Sequence, residues 1–106
     1  MKRIFMPVVL LMLFGCSSSP WESMPYQEAH AWQGIGVTAY NAKQFRANGY
    51  TPLDVKPWKQ AGFETPNQII PWARNNFSAE EAKAWSQKKF TVEQAVDFRS
   101  QGLTVK

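Results

Sequence analysis

Few side chains in this 106-residue chain have the chemistry of a site: Cys16 is its only cysteine and His30 its only histidine. A thiolate can act as nucleophile or metal ligand, and an imidazole can move protons or bind metal. Neither has a suitable partner. Glu28, two residues from His30, is poorly placed as a second ligand, whereas a structural zinc needs about four donors. A Ser-His-Asp constellation needs a base held by a third group, and nothing in the sequence supplies one. Glu80, Glu81 and Glu93 fall just after hydroxyl residues that start helices, where carboxylates complement the helix dipole. Gly34-Ile35-Gly36 is not followed by a phosphate-binding pattern. No catalytic residue, metal or cofactor site is expected, and the chain is read as non-enzymatic. What remains is a set of basic residues, Lys43, Arg46, Lys56 and Lys59, whose only evident chemistry is attraction to anions.

The setting of Cys16 is informative. Lys2 and Arg3 precede an apolar run from Ile4 to Phe14, too short for a membrane span of about 20 residues but suited to the core of a signal peptide. The run ends in Leu13-Phe14-Gly15-Cys16, which resembles the lipobox of bacterial lipoproteins, with a bulkier second residue than is usual. That resemblance implies cleavage before Cys16, a lipid on its thiol and acylation of the new N-terminus. Ser17 in the next position resembles the kind sorted to the outer membrane. A lipid-linked thiol would also leave no free cysteine in an oxidising compartment. Loss of residues 1–15 leaves 91 residues and lowers the formal net charge from +4 to +2. One small domain fits that length, and the weak charge together with the expected address argues against nucleic acid as partner. Residues 16–24, with Ser17-Ser18-Ser19-Pro20, are expected to form a tether.

From Pro25 onward the chain repeats. Units begin at Pro25, Thr38, Thr51, Thr65, Ser78 and Thr91, at a spacing of 13 residues except for one extra residue, Glu64, in the third; a seventh start falls at Thr104. Seven places after each start stands an aromatic: Trp32, Phe45, Trp58, Trp72, Trp85 and Phe98. The hydroxyl residues predict helix N-caps. Ser78 with Glu81 and Thr91 with Gln94 match the capping box, and the others are weaker variants. Pro52 and Pro66 suit a first helical position. Gly36, Gly49, Gly62, Asn76 and Gly102 suit the left-handed residue that ends a helix. Lys89 holds that place in the fifth unit and predicts a less sharply defined end. Pro57 and Pro71 fall where helix interior is expected. Since an interior proline costs about 3 kcal/mol or more, these two helices are predicted to break and restart as Pro57–Ala61 and Pro71–Asn75.

Helices of about ten residues do not persist alone in water, so each must bury its stripe against neighbours, as helical repeats do. The predicted fold is all-α: a compact array of about six short helices over residues 25–106, solenoid-like or an irregular bundle, with the aromatics mostly in its core. The units resemble short tandem motifs of the form Trp-x-x-x-Gly-Phe-Ser/Thr-x-x-Glu-Ala-x-x-Trp found in various bacterial proteins, best matched by Phe77–Trp85; the resemblance implies no activity.

Counted from the cap, Lys43, Lys56 and Lys83 are fifth and Arg46, Lys59 and Arg99 eighth. If the helices stack regularly, Lys43, Arg46, Lys56 and Lys59 line one ridge near the tether, facing anionic lipid headgroups or an acidic envelope partner. The expected function is that of an envelope lipoprotein, lipid-anchored in the outer membrane and facing the periplasm, whose array mediates protein interaction or assembly. A glycan- or peptidoglycan-binding module using Trp21, Tyr26 and Tyr40, outside the predicted core, is the alternative. Exposed, clustered rings beside polar groups would favour it. A carrier of small hydrophobic molecules would need a cavity among the tryptophans.

Overall fold

The computed structural model describes residues 19–105, and all regular structure among them is helical. Six helices of nine residues each follow one another: α1 (Tyr26–Gly34), α2 (Ala39–Ala47), α3 (Pro52–Gln60), α4 (Pro66–Arg74), α5 (Ala79–Gln87) and α6 (Val92–Ser100). Their starts follow from the cap residues. Thr38, Thr51, Thr65, Ser78 and Thr91 are extended, and each hydroxyl accepts from the backbone N–H three residues on. The reciprocal bond completes a capping box in α3, α4, α5 and α6, so Asp54 and Gln68 serve as well as Glu81 and Gln94. Pro25 starts α1 without a side-chain cap.

Every helix ends the same way. Gly36, Gly49, Gly62, Asn76, Lys89 and Gly102 all have positive φ. The N–H of the next residue then bonds back to the carbonyl of the unit's aromatic, as in Phe63 to Trp58 (3.0 Å) and Phe90 to Trp85 (3.1 Å). This is the Schellman closure, whose backbone bond brings the flanking side chains together. The rings duly meet edge-on: Trp58 with Phe63, Trp72 with Phe77 and Trp85 with Phe90, at centroid distances of 5.3, 5.1 and 5.4 Å. Lys89, at φ 69°, closes its helix as the glycines do. The expected blurring of that end is therefore corrected: the Trp85–Phe90 pair and the backbone bond hold the turn despite the strain of a side chain there.

The expected breaks at Pro57 and Pro71 are also corrected, since α3 and α4 run through both prolines. In so short a helix each proline forfeits one bond, to the carbonyl four residues back. Those carbonyls belong to Leu53, 81% exposed, and Asn67, also exposed, so water can bond them. Solvent access at these positions lessens the part of the penalty that comes from the lost bond.

Packing alternates. α1 lies on α2 and on α3, α2 on α4, α3 on α5, and α4 on α5. The helices thus form two rows, α1-α3-α5 and α2-α4, with α6 joined to α4 by hydrogen bonds from Arg99 to the carbonyls of Asn75 (2.6 Å) and Asn76 (3.4 Å). Between the rows lie Trp32, Phe45, Trp58, Trp72 and Trp85, each at most 6% exposed, with the small fourth-position residues Ala42, Val55, Ala82 and Ala95 at 0%. Phe98, the last of the series, is half-buried. Among the described residues every buried one falls between Met24 and Ala95, and none is polar. This described core lies within residues 19–105, and residues 19–106 are expected to fold on their own, with a helical circular dichroism spectrum as the check. That core reaches into the stretch expected to be a tether: Met24 is buried and Trp21 packs against it.

Candidate functional site

The basic residues divide between the rows. Lys43 and Arg46 belong to α2, and Lys56 and Lys59 to α3. Arg46 Nε donates to Glu28 Oε2 at 2.7 Å, beside the first turn of α1. Lys59 lies at the other end of α1, its Cε 3.8 Å from where a Cβ on Gly36 would stand, and its Nζ pairs with Glu64 at 2.7 Å. About eight residues of helix separate those points by roughly 12 Å. Only Lys43 and Lys56 among the four project as exposed cations with no ion pair among the described residues. The four do not gather as one ridge, because alternate packing sends successive helices to opposite rows.

Instead, the eighth and ninth positions link helices two units apart. Besides Arg99, which also sits 3.9 Å over the Phe77 ring, Arg74 donates to Asn48 Oδ1 (2.9 Å) at the end of α2. Lys59 at the end of α1 completes the series. Cations placed at helix C-termini meet the negative end of the dipole and its leftover carbonyls. Their first role is therefore to join helices within each row, which periodicity along one chain does not display. The signal that could have found it is the restriction of arginine, from Pro25 onward, to these two positions.

Glu28 is a further junction, which sequence reasoning treats only as a poor metal ligand. Its Oε2 accepts from Arg46 and from the indole N–H of the fully buried Trp32, at 3.1 Å. Burial pushes its carboxyl up, but hydrogen bonds from Arg46 and Trp32 and the Arg46 charge outweigh this and hold it below the usual value of 4.5. A depressed folded-state pKa adds stability that is present above the unfolded value and lost as pH falls through the folded one. Glu28→Gln should therefore lower stability at pH 7 by up to about 1 kcal/mol, as such partly exposed pairs do. The difference from the parent, read from urea midpoints, should close as pH falls below the unfolded value. An undiminished difference in strong acid would refute the assignment.

His30 is exposed and stacks on Tyr26, centroids 5.7 Å apart and planes 21° inclined. Tyr26 is 78% exposed, and Trp21, Glu22 and Gln33 line the same shallow depression. Tyr40, 72% exposed, stands on α2 outside that depression. Between α3, α4 and α5 runs an open groove lined by Tyr50, Asp54, Trp58, Phe77 and Lys83. Glu80, Glu81 and Glu93 lie in first turns, with Glu81 engaged by the Ser78 N–H. Among the described residues no three His, Cys, Asp or Glu side chains cluster as metal ligands, and no helix is long and apolar enough to cross a membrane. Cys16 and the signal-like segment lie outside the described residues. Comparison of the chain with family models, with curated proteins and with solved structures yields no match.

Proposed function

We propose that the chain is a non-enzymatic lipoprotein of a bacterial envelope, anchored through Cys16 and facing the periplasm from the outer membrane, whose helical array serves as a protein-interaction or assembly module. The observation that carries this reading is the short distance along the chain between the lipobox cysteine and the folded array: the first turn begins at Ser19, three residues after Cys16. A lipid there would hold the array's first helices within a few residues' reach of the bilayer, at roughly 3.4 Å per extended residue, and repeat arrays offer extended surfaces to partners. In a bacterial host, Cys16→Ser should move the protein from the membrane to the soluble periplasmic fraction and abolish incorporation of labelled palmitate. Retention at the membrane without label would refute the anchor. Photo-crosslinkers on the exposed Leu53 and Lys56 should then capture an envelope protein.

A second reading draws on the Tyr26–His30 stack beside Trp21, since exposed rings with polar neighbours suit sugar faces. It requires soluble peptidoglycan fragments to bind the array and Tyr26→Ala to abolish that binding. A weaker electrostatic contribution from Lys43 and Lys56 toward anionic headgroups, about 1 kcal/mol each near a charged leaflet, would add to the lipid anchor.

A further inference from the structure

The first and last described helices expose complementary surfaces. The eighth position is half-buried in α3, α4, α5 and α6 (Lys59, Ala73, Ser86, Arg99), each of which has a helix two units earlier to lie against. In α1 and α2, which have none among the described residues, Gln33 and Arg46 are exposed. At the first position α1 alone stands apart: Ala39, Pro52, Pro66, Ala79 and Val92 are covered or half-covered, but Tyr26 is 78% exposed. At the other end the trend reverses. Phe98 is the one aromatic of its series that is not fully buried, and Leu103, which takes the place of the ring residues Phe77 and Phe90, is 49% exposed. With Trp85, Lys88, Phe90 and Val105 these two line an apolar depression. The backward-facing surface of α1 and α2 and the forward-facing surface of α5 and α6 are thus the two halves of the contact that joins each helix to the next but one.

We propose that the array associates with a second copy of itself head to tail, α1 and α2 of one copy continuing the rows past α5 and α6 of the other. The contact is the intrachain one extended, so its chemistry can be read from the pairs already present. The fifth-position Lys83 of α5 lines the same groove as the third-position Asp54 and the sixth-position Pro57 of α3. By that register Lys43 of the incoming copy faces Gln94 and Asp97, the latter an opposite charge. Arg46 stands where Lys59 and Arg99 stand in their own helices; only its Nε is engaged by Glu28, which leaves the terminal nitrogens for the carbonyls at the end of α6. Tyr26 supplies the apolar surface for the depression around Phe98 and Leu103. Unlike a two-fold contact, a heterologous one leaves an unused end on each copy, so growth continues unless the ring closes.

This deepens the interaction-module reading by naming the partner as the chain itself. Its test uses residues 19–106, which lack Cys16, so failure leaves the lipid anchor standing, and a failed anchor leaves the test intact. Sedimentation velocity should show a weight-average mass that rises with concentration past that of a dimer. Tyr26→Glu and Leu103→Glu, both at exposed positions, should each hold the protein at monomer mass with unchanged circular dichroism. An equimolar mixture of the two should double in mass, because one intact head and one intact tail remain. Lys43→Glu should weaken association and Asp97→Lys in the same chain should restore it. A monomer at every concentration overturns the proposal, as does association that survives Tyr26→Glu, which would mean a tail-to-tail contact.

Discussion

Trp85→Ala is expected to unfold the array. Trp85 is 5% exposed, stacks on Phe98 at 5.7 Å with planes 7° apart, and meets Phe90 edge-on at 5.4 Å. Its carbonyl also receives the Phe90 N–H that closes α5. Truncating a buried tryptophan costs about 3–5 kcal/mol, and a domain of this size without a disulfide has only a few kcal/mol in total. Two neighbours lose their partner at once, since Phe90 and Phe98 also pack on each other at 5.1 Å. Far-UV circular dichroism of the variant should show the helical signal largely lost near room temperature. Phe98→Ala, at the half-buried end of the same stack, should lower the melting temperature but keep a folded baseline. A Trp85→Ala protein melting like its parent would mean that the ring is not core.

Opposite effects are expected at one repeat position. Gly62 has φ 103°, and apart from itself and its chain neighbours no atom lies within 4 Å of where its Cβ would stand. A side chain there would meet no steric neighbour, and its cost would be one of backbone conformation. Gly62→Val should destabilise by about 1–3 kcal/mol, the range for a residue held in a sparsely populated region, with β-branching at the upper end. Lys89, at φ 69°, already bears such a strain, so Lys89→Gly should stabilise by about 1 kcal/mol. Chemical denaturation of both variants checks the signs; equal and same-signed shifts would show that the helix ends do not depend on this residue.

Much of this architecture is legible in the residues themselves because it is local. A hydroxyl cap, an apolar residue four on, an aromatic seven on and a glycine eleven on act within one helix, and they appear where their spacing places them. The prolines defeat local reasoning because the cost of Pro57 depends on whether the Leu53 carbonyl sees water, a tertiary fact. Lys89 does so for the same reason: the ring pair across the turn outweighs the propensity of the turn residue. The basic ridge fails on topology. Spacing along a chain says that Arg46 and Lys59 occupy equal places in their units, but not that those units turn to different sides. Glu28 carries no signal of its own, because a carboxylate four residues before a tryptophan looks ordinary until the arginine of the next helix arrives.

The alternation of rows gives the array a parity. Each unit carries the chain from one side to the other, so adding or deleting one would leave the packing rules satisfied while presenting everything beyond it to the opposite side. Adding two would restore the facing and lengthen the array. Chains built from this unit can therefore change length by pairs and keep their orientation relative to a fixed attachment point, whereas a single-unit change is a switch of direction. Comparing arrays of five, six, seven and eight units, with a reporter fused after the last helix and the first helix immobilised, would show that parity as reporter access that returns at every second length.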